Sequence, residues 1–211
     1  MCSRFSSLHR LFIYRPGKPM VNDYDLLQAV KIPFQDPKNQ YMDNDGHDGF
    51  PGFGFKAGSD VKVALRQILP EKLPSEFSIW ISAKPKSRRG GFLFAVVKPY
   101  DTVVELGVKI APEGFTNTLI SLYYSNASSI NSQIIANFSL PRFHGKWSRF
   151  AFRLTEENIT LFFNCNEVSS INVKRTPAEL QFDSASTLYI AQAGSVLGEP
   201  FEVGVRTSRR M

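Results

Sequence analysis

Beyond about residue 60 the chain alternates apolar and polar residues with a period of two. In "EFSIWISA", Phe77, Ile79, Ile81 and Ala83 fall on one face. In "TVVELGVKI", Val104, Leu106, Val108 and Ile110 alternate with Glu105 and Lys109. "GGFLFAVV" is apolar throughout, the pattern of a strand covered on both faces. "TLISLYY", "IIANFSL", "WSRFAFRL", "ITLFFNC" and "TLYIAQA" follow, separated by turn-rich stretches. Ile134, Ala136, Phe138 and Leu140 are expected to point inward and Asn137 outward; Ile159, Leu161, Phe163 and Cys165 are expected to share a face. Many short alternating strands predict an all-β fold, an antiparallel two-sheet β-sandwich. The one helix expected is short, in "NDYDLLQAVKIP", with Asn22 or Asp23 as its N-cap and Pro33 as its stop.

The chain has 211 residues, 43% of them hydrophobic, enough for one substantial core. No apolar run approaches a membrane span. The net charge of +6 is concentrated at the ends. Residues 1–20 carry four basic residues and no acid, residues 206–211 three and no acid, whereas residues 21–205 have a net charge of −1. The reading is therefore a disordered basic segment at 1–20, a sandwich domain at 21–205, and a basic tail at 206–211. A near-neutral body argues against a general nucleic-acid binder. No secretory signal is legible in the first 20 residues, whose apolar stretch is only Leu11 to Tyr14.

Local basic clusters remain. "KPKSRRGG" places Lys84, Lys86, Arg88 and Arg89 in a turn between two strands, and Arg142, Lys146, Arg149 and Arg153 form a second group. Clustered Arg and Lys suit a sulfated polysaccharide; the alternatives are a nuclear localisation signal and a plain solvated turn. Three N-x-[ST] sequons, at Asn126, Asn137 and Asn158, are candidate glycosylation sites if the chain is secreted. The Asp/His-rich "DNDGHD" lacks the spacing of a calcium loop and reads as a turn; no metal or other cofactor is expected. No nucleophile, metal-protease or phosphate-loop motif occurs, and Glu156-Glu157 reads as a solvated tip rather than a glycosidase pair. The expectation is that the protein is not an enzyme. Cys165 is open to three readings: a buried thiol, a reactive group, or half of a disulfide.

Read in order, "FSIWISAKPKSRRGGFLFAV", "VVELGVKI", "SLYYSN", "FSLPRFHGKWSRFAFRLTEENITLFFNCNEV" and "LYIAQAG" resemble a thrombospondin N-terminal-like domain, the laminin-G-like jelly roll of many non-fibrillar collagens, and most of all that of the multiplexin collagens, types XV and XVIII. The resemblance implies a secreted, structural and adhesive module of the extracellular matrix. Heparan sulfate or other matrix components are its implied partners, and a longer collagen chain would be a trimer. The rival functions are a lectin-like sandwich for neutral carbohydrate and a sandwich glycosidase. In the family, the cysteine matching Cys165 pairs with one downstream of the last strand. None follows here, so the resemblance implies that the partner is absent from this chain and that the chain is a fragment or a shortened isoform.

Overall fold

The computed structural model describes residues 9–13, 22–30, 40–43, 52–198 and 201–205. Its larger sheet holds, in spatial order, β14 (Asn166–Asn172), β13 (Asn158–Phe163), β12 (Ser148–Leu154), β7 (Phe77–Pro85), β17 (Val203–Val205), β4 (Gly52–Phe55) and β3 (Gln40–Asp43). The second sheet runs β11 (Ile134–Pro141), β10 (Asn117–Tyr124), β9 (Val104–Glu113), β8 (Gly91–Val97), β16 (Thr187–Ile190) and β5 (Val61–Ala64). Two short strands, β6 (Lys72–Leu73) and β15 (Leu180–Gln181), pair with each other. All described pairings are antiparallel, and the predicted sandwich is what the chain forms.

Alternation builds the core as predicted. Phe77, Ile79, Ile81, Phe150, Phe152 and Leu154 of the larger sheet face Phe94, Val96, Leu106, Val108, Ile120 and Phe138 of the other, all buried. The Phe138 and Phe152 rings meet across the layers, 6.0 Å apart and tilted by 55°, a favourable aromatic geometry. A smaller apolar cluster, Phe92, Ala95, Val97, Val104 and Tyr189, lies on the opposite face of β8 and its neighbours. The helical turn α2 (Gly194–Leu197) supplies Leu197 to it. This explains why β8 is apolar on both faces.

Four local expectations are corrected. The helix α1 spans only Leu26–Ala29, and its N-cap is Asp25, whose Oδ1 accepts from the Leu27 and Gln28 N–H groups at 3.0 Å. Asn22 and Asp23 instead belong to a strand, β2 (Asn22–Asp25), because the preceding segment β1 (His9–Ile13) pairs with it. Pro33 lies outside the described residues. Within the segment 1–20, expected to be disordered, residues 9–13 form β1, which also pairs with β7, His9 opposite Ile81 and Ile13 opposite Phe77; the rest of that segment lies outside the described residues. It continues along the edge of β7 that β17 occupies at Ala83–Pro85. Finally, a bulge between Leu122 and Tyr123 places Ile134 opposite Tyr123 and leaves it 47% exposed, while Ile135 packs against the core.

Candidate polyanion-binding end

The strands of both sheets turn at two ends, and the predicted basic residues divide by position. At one end lie the β7–β8, β9–β10, β11–β12 and β13–β14 turns. Gly90 closes the β7–β8 turn at φ +78°, and a Cβ there would sit 2.1 Å from the Ile110 carbonyl oxygen, so only glycine lets this turn lie on β9. Main-chain bonds then fix the neighbouring turns. The Gly145 N–H donates to the Pro85 carbonyl (2.8 Å), and the Arg142 N–H to that of Thr116 (2.8 Å). Phe143 is the anchor between them: its buried ring packs on Phe150 and Phe163 at 6.3 and 5.4 Å. The side chains on either side of Phe143 thereby stay at the surface.

The result is a shallow pocket of about 60 Å³ whose lining includes Arg88, Arg142, His144, Asn117 and Thr118. It brings one arginine from each basic cluster to a single site. The His144 Nε2 donates to the Lys86 carbonyl at 2.8 Å, tying the two turns together. The Arg142 guanidinium donates to the Gly114 carbonyl at 3.2 Å. Arg88, Arg89, Arg142 and Lys146 are exposed, and among the described residues none of them forms an ion pair. Phe115, 93% exposed, caps the β9–β10 turn beside Arg142.

The other predicted residues separate from this group. Lys84 is the last but one residue of β7 and is 7% exposed, so it is not a turn residue open to a ligand. Lys86 is half-buried, with Nζ 5.9 Å from the centre of the Tyr41 ring. Arg149 and Arg153 lie on β12, facing out from the larger sheet, opposite Ser82 and Ser78. Alternation predicted their shared side but not their places along the strand: Arg149 stands at the basic end, its N–H donating to the Asn164 Oδ1 of the β13–β14 turn at 3.0 Å, and Arg153 near the other end of β12. Asn117, His144 and Phe115 were missed, because only the packing of turns far apart in sequence makes them neighbours.

Cys165 also differs from expectation. β13 ends at Phe163, and Asn164 and Cys165 form a two-residue turn with φ of +45° and +75°. Both positive values fit the tight turn that joins twisted hairpin strands. Cys165 is exposed and does not share the face of Leu161. It is disulfide-bonded, which corrects the expectation that its partner is missing from the chain. The one other cysteine in the sequence is Cys2, outside the described residues.

The opposite end is closed by internal bonds. The Asp101 carboxylate accepts from the Tyr189 hydroxyl (2.8 Å), the Ser195 N–H (2.8 Å) and the Ser195 hydroxyl (2.9 Å). Burial works to raise its pKa, but these donors and the Lys62 charge hold it below the ordinary 3.8. Gly194 permits the approach, since a Cβ there would lie 2.4 Å from the Asp101 Cγ. Burial pushes the Tyr189 hydroxyl up, helped by the bond to Asp101 and its charge. Glu105, fully buried, accepts from the Asp183 N–H (3.0 Å) and the Ser186 hydroxyl (2.5 Å), and burial raises its pKa despite those bonds. Arg175, 5% exposed, donates to the carbonyls of Ser75, Thr155 (2.6 Å) and Ala178 (2.8 Å), between the Phe77 and Tyr124 rings. These groups are spent on structure. Among the described residues no cluster of three or more metal-ligating side chains occurs, and no helix is long and apolar enough to cross a membrane.

No protein-family model matches the chain. Over 177 residues, 84% of its length, the chain is 26% identical to the collagen alpha-1(XVIII) chain of Homo sapiens, of which it spans 10%. Among solved structures it is similar to a heptameric SAP-like pentraxin from Limulus polyphemus (13% identity, TM-score 0.48, covering 82% of this chain and 70% of that one). Another similar structure is that of domains LG4-5 of the mouse laminin alpha1 chain (12% identity, TM-score 0.43, covering 67% and 36%). The sequence that resembles the thrombospondin N-terminal-like, laminin-G-like domain of the multiplexin collagens is thus similar, across most of its length, to that of a multiplexin collagen.

Proposed function

We propose that this chain is a non-catalytic module of the extracellular matrix that binds sulfated polysaccharide, of the heparan sulfate class, through the turns at its basic end. The observation that carries the reading is the pairing of Arg88 with Arg142 at one pocket, without a carboxylate partner for either among the described residues. The pocket is shallow and open to solvent, so a charged substituent, a sulfate or carboxylate, can reach both arginines from a chain lying across it. The guanidinium groups supply paired donors for such a group. Arg89, Lys146 and the exposed ring of Phe115 extend the contact along a chain. Similarity to a collagen that this sequence spans only in small part supports the matrix setting, a secreted location and a non-catalytic role.

The sequons fit this arrangement. Asn126 lies in the loop after β10 and Asn158 opens β13, both at the far end, and Asn137 is exposed in mid-β11. The Asn137 Oδ1 accepts from the Ser121 hydroxyl at 2.6 Å, so its amide nitrogen, the atom a glycan joins, is not used in that bond. Glycans at these positions leave the basic end open. The test is titration of the labelled protein with a sulfated hexasaccharide, followed by amide chemical shifts. Perturbation centred on Gly90, Ala111, Asn117 and Thr118 is expected. Perturbation confined to other surfaces, or an equal response to a neutral hexasaccharide, overturns the assignment.

A further inference from the structure

The basic end contains a titratable ring beside its permanent charges. His144 lines the same pocket as Arg88 and Arg142 and is half-buried. The ring is held at one nitrogen only. Its Nε2 lies 2.8 Å from the Lys86 carbonyl, which can only accept, so Nε2 keeps its hydrogen in the neutral and the charged ring alike. Nδ1 is then the atom that gains or loses the proton. Among the described residues Nδ1 has no hydrogen-bond partner. The backbone is fixed on both sides of the ring: Phe143 is anchored in the core, and the Gly145 N–H donates to the Pro85 carbonyl at 2.8 Å. Protonation therefore adds a positive charge at a set place on the pocket wall.

The other charged side chains of the pocket lining are Arg88 and Arg142, and the lining holds no carboxylate. Around it, the turn after β11 adds Lys146, and the β7–β8 turn adds Lys86 and Arg89. The nearby acids are Glu113, at the end of β9, and Glu202, just before β17, whose carbonyl accepts from the Lys86 and Ser87 N–H groups. An anion bound at the two arginines favours the charged ring, so proton and anion each tighten the other's binding. We propose, resting on the polysaccharide reading of this end, that His144 is a third anion-binding residue of the pocket, and that sulfated polysaccharide therefore binds more tightly as the medium turns from neutral to mildly acidic. Imidazole is the side chain whose charge changes in that range, while guanidinium groups stay charged. The gain is complete below the pKa of the ligand-free ring and is lost as pH rises through that of the bound ring.

The probe is the sulfated hexasaccharide, titrated by calorimetry at about pH 7.5 and about pH 5.5 at constant ionic strength. The wild type is expected to bind about fourfold more tightly at the lower pH, the effect of one added unit charge about 5 Å away in water. In H144Q, whose amide can still donate to the Lys86 carbonyl, the ratio is expected to fall to near one. The chain's other histidines, His9 and His47, serve as controls, and H9Q/H47Q keeps the wild-type ratio. A second readout is the wild-type ring itself: by reciprocity, the midpoint at which its Cε1–H shift titrates rises when hexasaccharide is bound. The same pH ratio in H144Q and wild type, or a ring midpoint that does not move, overturns the inference while weaker binding by R88A/R142A leaves the basic end standing. R88A/R142A binding as the wild type does at both pH values overturns the basic-end assignment and this inference with it.

Discussion

The two ends of the sandwich are built from the same kind of strand turn and treat charge in opposite ways. At one end Arg175, Glu105 and Asp101 are bonded inward, to carbonyls, a loop N–H and hydroxyls. At the other, Arg88, Arg89, Arg142 and Lys146 stand exposed and without an ion pair among the described residues. A buried polar group must be satisfied by the protein itself, so charges at the closed end act on stability. Exposed charges far from a partner contribute little to stability and remain available to a ligand. The contrast predicts which substitutions change melting and which change binding.

The largest expected effect is at Arg175. An R175M variant keeps the bulk but leaves the carbonyls of Ser75, Thr155 and Ala178 without their donor; a loss of about 3 kcal/mol or more is expected. For a chain of this size that lowers Tm by roughly 6–12 °C. Heparin affinity at a temperature where the variant is folded should be unchanged. Next is Asp101. D101A removes three bonds that tie α2 down and hold Tyr100 and Asp101 at φ +65° and +54°. About 1–2 kcal/mol should be lost, with hydrogen exchange around Ser195 rising more than in β8. A variant as stable as the wild type would show that this end is not held by its polar bonds.

Glu105 gives a smaller effect with a defined sign. Its folded pKa lies above the ordinary 4.5, so the folded protein retains a proton that the unfolded chain releases. Its contribution is complete below about pH 4.5 and is lost as pH rises through the raised value. Asp101 has the opposite sign: its folded pKa lies below 3.8, and its contribution is lost as pH falls from that value toward the depressed one. In E105Q the amide oxygen still accepts from Asp183 and the amide nitrogen can donate to Ser186. The wild type should therefore lose Tm relative to E105Q between pH 4 and pH 7. Parallel melting curves over that range would contradict the assignment.

How much of this was legible beforehand follows from range. The core faces of β7, β9 and β12 were readable because alternation is a local property of each strand. The cap at Asp25 was misplaced because Asn22 and Asp23 are drawn into a sheet by β1, a contact that no local pattern reports. Arg88 and Arg142 were legible as basic residues, but their meeting at one pocket depends on Gly90 and on Phe143 anchoring in the core. Lys84 looked like a turn residue because its charge sits beside Pro85; β17 pairing across from it extends the strand and buries it. Cys165 was placed on the strand face because alternation does not report where a strand ends; β13 stops at Phe163 and a two-residue turn follows.

The central claim is that binding follows position and not net charge. It is tested by heparin-resin elution of two variants that each remove two positive charges: R88A/R142A at the basic end, and R66A/K72A at the closed end. Arg66 and Lys72 are exposed, and Lys72 already pairs with Glu179. Both variants should melt close to the wild type, since surface substitutions of this kind usually shift stability by no more than about 0.5 kcal/mol each. The account predicts that R88A/R142A elutes at clearly lower salt while R66A/K72A elutes with the wild type. Equal shifts for the two variants would contradict it.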